Sequence, residues 1–131
     1  MRSLLHQILL TSSHASLRYR AAWVLFIAAV VIGSIPGARA EAAQVASGLV
    51  LHSFSYAFLT FLLFTGSTGN RAQRAVKAVL TVMVMGAIDE LVQSFFPYRH
   101  GTVGDWLVDT IAALVTATVF WVLWRRNRSA A

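Results

Sequence analysis

The chain has 131 residues, of which 57% are hydrophobic and only 12% charged, and a formal net charge of +6. A soluble domain carries about twice that share of charge, and the mean hydropathy of +0.65 agrees, so composition excludes an ordinary soluble domain and indicates a single integral membrane domain. The absence of cysteine excludes disulfides, thiolate metal sites and a cysteine nucleophile.

The positive balance does not imply nucleic acid as a partner. Its residues do not line one face of a helix or sheet. They cluster beside apolar runs, as Arg18 with Arg20, Arg71 with Arg74 and Lys77, and Arg125 with Arg126 and Arg128. Membrane proteins distribute positive charge in this way.

In chain order, residues 2–11 set Leu4, Leu5, Ile8 and Leu9 on one helical stripe, expected to lie along the inner membrane interface. The first apolar run, 21–35, is short for a span, which needs about 20 residues. Arg18, Tyr19 and Arg20 extend it, with the arginines expected to snorkel toward headgroups. Ala38-Arg39-Ala40 has the pattern of a signal-peptide cleavage site, but the long stretch before Arg18 favours a retained helix. Ala29, Gly33 and Gly37 offer a small-residue seam for helix packing. The second run is 48–64. It leads through the turn-rich stretch 66–74 to a third run at 75–96, and after the loop 97–104 a fourth occupies 105–124.

With the N-terminus inside, nine of the eleven lysines and arginines fall on the cytoplasmic side, and only Arg39 and Arg99 fall outside. The expected fold is therefore an all-α membrane protein, a four-transmembrane-helix bundle with both termini cytoplasmic. Residues 1–17 form an N-terminal interfacial segment, 18–124 the membrane domain and 125–131 a basic tail.

This topology places all five carboxylates in the outer half of the membrane or beyond it. Counting about 1.5 Å of rise per residue brings His52, Tyr56, Asp89, Glu90, Gln93, Asp105 and Asp109 to one level. His52 and Tyr56 share a helical face, as do Asp105 and Asp109, and as do Glu90 and Gln93. Ala113 and Ala117 continue the acidic face, and Gly86 lies one turn from Glu90, so the acids are expected to point into the bundle. A charge at mid-membrane costs roughly 2.5–3.5 kcal/mol, and Arg99 is the natural cation to offset it, with His52 and His100 as lesser ones. Simpler roles are also open. Asp105 suits a helix N-cap and Asp109 the first helical turn, while Tyr98, Trp106, Trp121 and Trp124 suit the membrane interfaces.

The run from Glu90 through Gln93 and Pro97 to Arg99, followed by Asp105 and Asp109, resembles the signature of VanZ-like membrane proteins. In that signature a helix ends E-x-x-Q, a P-x-R loop follows, and the last helix begins D-x-x-x-N. His52 and Tyr56 resemble the family's H-x-x-x-Y, and Ser34-Ile35-Pro36 resembles the S-x-P that closes its first helix. Asp109 stands where the family usually has Asn, and Ala112-Ala113 where a Gly is usual. The Asp-Lys pair that often precedes the His is replaced by Gly48-Leu49-Val50-Leu51. The resemblance implies a bacterial cytoplasmic membrane protein that influences susceptibility to teicoplanin-type glycopeptides, without naming a reaction.

Two functions compete. In the first, His52, Tyr56, Glu90, Gln93, Arg99, Asp105 and Asp109 bind an envelope lipid, a lipid-linked precursor or a membrane partner protein, with Arg99 gripping a phosphate or carboxylate. In the second, the chain is an enzyme acting on an envelope lipid, with Glu90 or Asp105 as general base. No cofactor is evident from the sequence, although carboxylates with His52 are suited to a divalent cation. The absence of H-E-x-x-H and G-x-S-x-G patterns leaves no familiar hydrolase chemistry. Ion translocation lacks a titratable path through the cytoplasmic half.

Overall fold

The computed structural model describes residues 11–129, with side chains through Trp124. The Leu4, Leu5, Ile8 and Leu9 stripe lies outside the described residues, as do the side chains of Arg125, Arg126 and Arg128. A 3-10 turn, Ser12–His14, leads into α1 (Ala15–Gly33). A short helix α2 (Ala38–Ala43), α3 (Gly48–Gly66), α4 (Arg71–Ser94) and α5 (Val103–Ser129) follow. The described residues contain no strand.

Local chemistry sets these boundaries. Pro36 lacks an N–H and disfavours helical backbone at Ile35, so α1 stops at Gly33. Ser47 caps α3, its hydroxyl accepting from the Val50 amide at 3.3 Å. Asn70 and Gln73 cap α4 reciprocally: the Gln73 amide donates to the Asn70 side chain at 2.9 Å, and the Asn70 amide to the Gln73 side chain at 3.0 Å. At the start of α5 the Asp105 amide donates to the Thr102 hydroxyl at 3.1 Å. The cap is therefore Thr102, not Asp105, because the helix begins at Val103, two residues before the expected start.

Helix α3 is the central element, packed against α1, α4 and α5. It contributes Tyr56, Leu59, Leu63 and Phe64 to a core that also holds Ala22 and Phe26 of α1, Val82 and Met85 of α4, and Ala113 of α5. The contact face of α1 differs from the expected seam. Ala22 and Phe26 are buried against α3, whereas Ala29 and Gly33 border a cavity, because the two helices meet where α1 starts and separate toward its end. Arg18 does not snorkel. It is 4% exposed and donates to the Thr65 carbonyl at 2.8 Å, meeting a carbonyl near the end of α3 that the helix cannot pair internally.

The bundle is apolar on the outside, and its largely apolar core also encloses a few polar side chains. Val24, Phe54, Leu80, Ile111 and Val115 face outward, while Thr60, Gln93 and Asp109 are buried. Three helical stretches are long and apolar enough to cross a membrane: Ser12–Gly33, Gly48–Gly66 and Val103–Trp124. Helix α4 has the length, at 24 residues, but carries Arg71, Arg74 and Lys77 at one end and Asp89 and Glu90 near the other. Its basic end lies on the aromatic end of α5, with the Arg71 guanidinium 4.2 Å from the Trp121 ring and Arg74 5.0 Å from Trp124.

Candidate functional site

At the opposite end of α4, three helices bring the sequence-selected residues together. His52 on α3 is half-buried, and its Nδ1 donates to Oδ1 of Asp109 on α5 at 2.9 Å. Among the described residues this is the one direct contact between a basic and an acidic side chain. The His52 ring stacks on Tyr56 one turn along, with centroids 5.9 Å apart and planes 13° from parallel. The Tyr56 hydroxyl donates to Oδ2 of Asp89 on α4 at 3.1 Å. Glu90 Oε2 accepts the Thr102 amide from the α4–α5 loop at 2.6 Å.

Asp109 is fully buried on the small-residue seam that continues to Ala113 and Ala117. Its approach to α4 depends on Gly86, where an added Cβ would sit 3.1 Å from Asp109 Oδ2 and 3.1 Å from Trp106 Cδ1. Trp106 is thus a bundle residue and not an interfacial one: its Nε1 donates to the Met83 carbonyl at 2.9 Å and ties α5 to α4. Asp105 lies half-buried at the edge, and no side-chain hydrogen bond joins it to the other acids among the described residues.

The expected pairing of Arg99 with the acids does not occur. Its Nη1 donates to the carbonyl of Gly33, the last residue of α1, and the Tyr98 hydroxyl donates to the Ser34 carbonyl at 2.6 Å. The physical reason is the set of carbonyls left unpaired where Pro36 ends α1, to which a cation is drawn by hydrogen bonding and by the helix dipole. His52 therefore makes the direct contact with an acid that sequence assigned to Arg99.

Beside this cluster, between α1, α2, α3 and α4, lies a cavity of about 320 Å³. One part of its wall is apolar, from Phe26, Val30, Leu51 and Leu59, and another is polar, from Arg39, His52, Tyr56, Asp89, Gln93 and Arg99. Gln93 is 4% exposed, and its Oε1 is buried without a partner, as is Arg99 Nε. Helix α2, which supplies Ala38, Arg39 and Ala42 to the wall, has no counterpart in the expected elements; its six residues are too few to show a helical period. A larger depression of about 620 Å³ at the other end, near Ser16, Arg20, Ser67 and Lys77, contains none of the sequence-selected residues.

Comparison with protein families gives a match to the family described as VanZ/LLP1 over residues 5–125, almost the whole chain. The chain belongs to the VanZ/LLP1 family. Comparisons with curated proteins and with solved structures returned no match. The match takes in α1 to α4 and α5 as far as residue 125, and in this VanZ-family membrane protein the residues that carried the resemblance lie just after α1, on α3, α4 and α5, and in the loop joining α4 to α5.

Three further residues at this site were not singled out as ligand candidates. Asp89 holds Tyr56 and lines the cavity; helical rise already set it at the common level. Thr102 was legible only as a loop residue, although a Thr three positions before Asp105 is a capping pattern. Arg39, from the segment read as a possible cleavage site, lines the cavity from α2.

Proposed function

We propose that this VanZ-family protein spans the bacterial cytoplasmic membrane with four helices and both termini cytoplasmic, and that its cavity binds the anionic headgroup of an envelope lipid. The distribution of nine of eleven lysines and arginines on one side supports the topology. Helix α4 then crosses the membrane with its three basic residues at the inner face and its acids shielded inside the bundle. Residues 18–124 form the membrane domain, flanked by the interfacial segment 1–17 and the basic tail 125–131.

The observation that carries the lipid reading is the mixed lining of the cavity, which combines apolar side chains with two arginines and further hydrogen-bonding groups. The apolar lining residues Phe26, Val30, Leu51 and Leu59 suit the start of an acyl or isoprenoid chain. Arg39 and Arg99 beside it can take a phosphate or carboxylate, with His52, Tyr56 and Gln93 providing further hydrogen bonds. Arg99 keeps donor capacity for this, since Nη1 alone is engaged by Gly33 and Nε has no partner. Glu90, Asp105 and Asp109 lie outside the cavity wall; Asp109 holds His52 and Glu90 holds the α4–α5 loop. Occupancy by an envelope lipid or lipid-linked precursor is the route by which the protein would alter envelope properties such as glycopeptide susceptibility.

Purified protein in detergent, mixed with phosphatidylglycerol or an isoprenoid phosphate and analysed by native mass spectrometry, is expected to retain one lipid. Arg99→Ala should lose it while remaining a monodisperse helical protein, and equal retention by wild type and variant would overturn the reading. A second reading, an enzyme acting on an envelope lipid with Glu90 or Asp105 as base, draws on the carboxylates that surround His52. Turnover of the same lipids, abolished in Glu90→Gln, would favour it.

A further inference from the structure

The cluster behind the cavity wall leaves buried carboxylate oxygens without partners. His52, Glu90 and Asp109 come from α3, α4 and α5, and each places one candidate ligand atom so that all three lie within 4.8 Å of one another. Asp109 has no exposure, and its Oδ2 has no hydrogen-bond partner. Glu90 Oε1 is likewise buried and unpartnered. Buried carboxylate oxygens are costly unless a donor or a cation meets them. The one nearby arginine of the motif, Arg99, is directed to the Gly33 carbonyl.

We infer that His52, Glu90 and Asp109 form a binding site for one divalent first-row cation of the Zn(II) or Mn(II) kind. The donor set selects the class: an imidazole with two carboxylates suits these ions, whereas Ca(II) and Mg(II) favour oxygen ligands alone. The surroundings fix the ligands as outer partners do in metal sites. The Thr102 amide holds Glu90 through Oε2 and leaves Oε1 available, and Tyr56 stacks on the His52 ring. Gly86 admits the Asp109 carboxylate between α4 and α5. Three protein ligands leave a coordination position open, and His52 is shared with the cavity, so an anion there could complete the shell. The inference does not depend on what occupies that cavity.

The test uses the full chain in detergent, stripped with a chelator, desalted and titrated with ZnCl2 or MnCl2 by isothermal calorimetry. Saturable binding of one equivalent is expected, weakened about tenfold or more in Asp109→Asn and in Glu90→Gln. Glu41→Gln, which alters a carboxylate on α2 outside the cluster, should bind as wild type does. Size-exclusion and circular dichroism establish that each variant remains folded. If Asp109→Asn does not, Glu90→Gln decides alone, since Glu90 is only half-buried. Absence of saturable binding in the wild type, or unchanged affinity in Glu90→Gln, would overturn the inference.

Discussion

Gly66→Ala tests the junction between α1 and α3 most directly. A Cβ at this position would lie 2.6 Å from the Tyr19 backbone nitrogen and 2.9 Å from the Ala15 carbonyl oxygen. Both atoms are backbone, so no side chain can turn aside. Restoring an ordinary contact of about 3.5 Å requires α1 to move away by roughly 0.9 Å. The same movement stretches the Arg18–Thr65 hydrogen bond, now 2.8 Å, beyond useful reach. Overpacking costs about 1–3 kcal/mol, and a hydrogen bond from a charged donor about 1.5–3 kcal/mol. Because the helix relieves one at the expense of the other, the expected loss is about 2–4 kcal/mol and not their sum. Thermal unfolding in detergent, followed by tryptophan fluorescence, should fall on the order of 10 °C. Gly104→Ala is the control, since its Cβ would meet nothing closer than the Thr102 hydroxyl at 3.8 Å. If the two variants melted together, the close approach of α1 to α3 would be refuted.

Arg18→Met should destabilise the bundle by about 1–3 kcal/mol by leaving the Thr65 carbonyl unpaired, whereas Arg20→Met, at an exposed position, should stay within about 0.5 kcal/mol of wild type. Comparable melting of these two variants would show that Arg18 does not cap α3. Tyr56→Phe removes the hydrogen bond to Asp89 and should cost about 0.6–1.7 kcal/mol, the range for such bonds inside membranes; no change in denaturation midpoint would refute the pairing. Trp106→Phe loses the bond to Met83 together with part of the ring volume and should cost at least as much, whereas Trp106→Ala, which empties the space over Gly86, should cost clearly more in the same assay. The absence of native cysteine permits clean topology mapping. A membrane-impermeant thiol reagent applied to intact cells should label His100→Cys and spare Thr68→Cys, and the reverse pattern would refute the proposed orientation.

Much of the architecture follows from composition and periodicity. Apolar runs bounded by basic clusters, Pro36 and Pro97 define the four long helices, because lipid solubility and helix-breaking are properties of the residues themselves. The inward seam of Asp109, Ala113 and Ala117 was readable for the same reason, as helical spacing fixes which residues share a face. So was the common level of His52, Tyr56, Asp89, Glu90 and Asp109, since rise per residue is constant.

Partner choice was not readable in this way. Charge alone assigned Arg99 to the acids and Arg18 to the headgroups. In the folded chain both arginines serve backbone carbonyls near helix ends, Arg99 at Gly33 and Arg18 at Thr65. Those acceptors carry no signal in side-chain composition, because every residue has a carbonyl and only the fold decides which are left unpaired. The cavity between α1, α2, α3 and α4 is likewise invisible to periodicity, since it depends on where packed helices leave space between them. Sequence by itself determined that this VanZ-family chain is a bundle of apolar helices with its acids gathered at one level. Tertiary structure alone decided that His52 meets Asp109, that Arg99 closes α1, and that buried carboxylate oxygens are left without a partner.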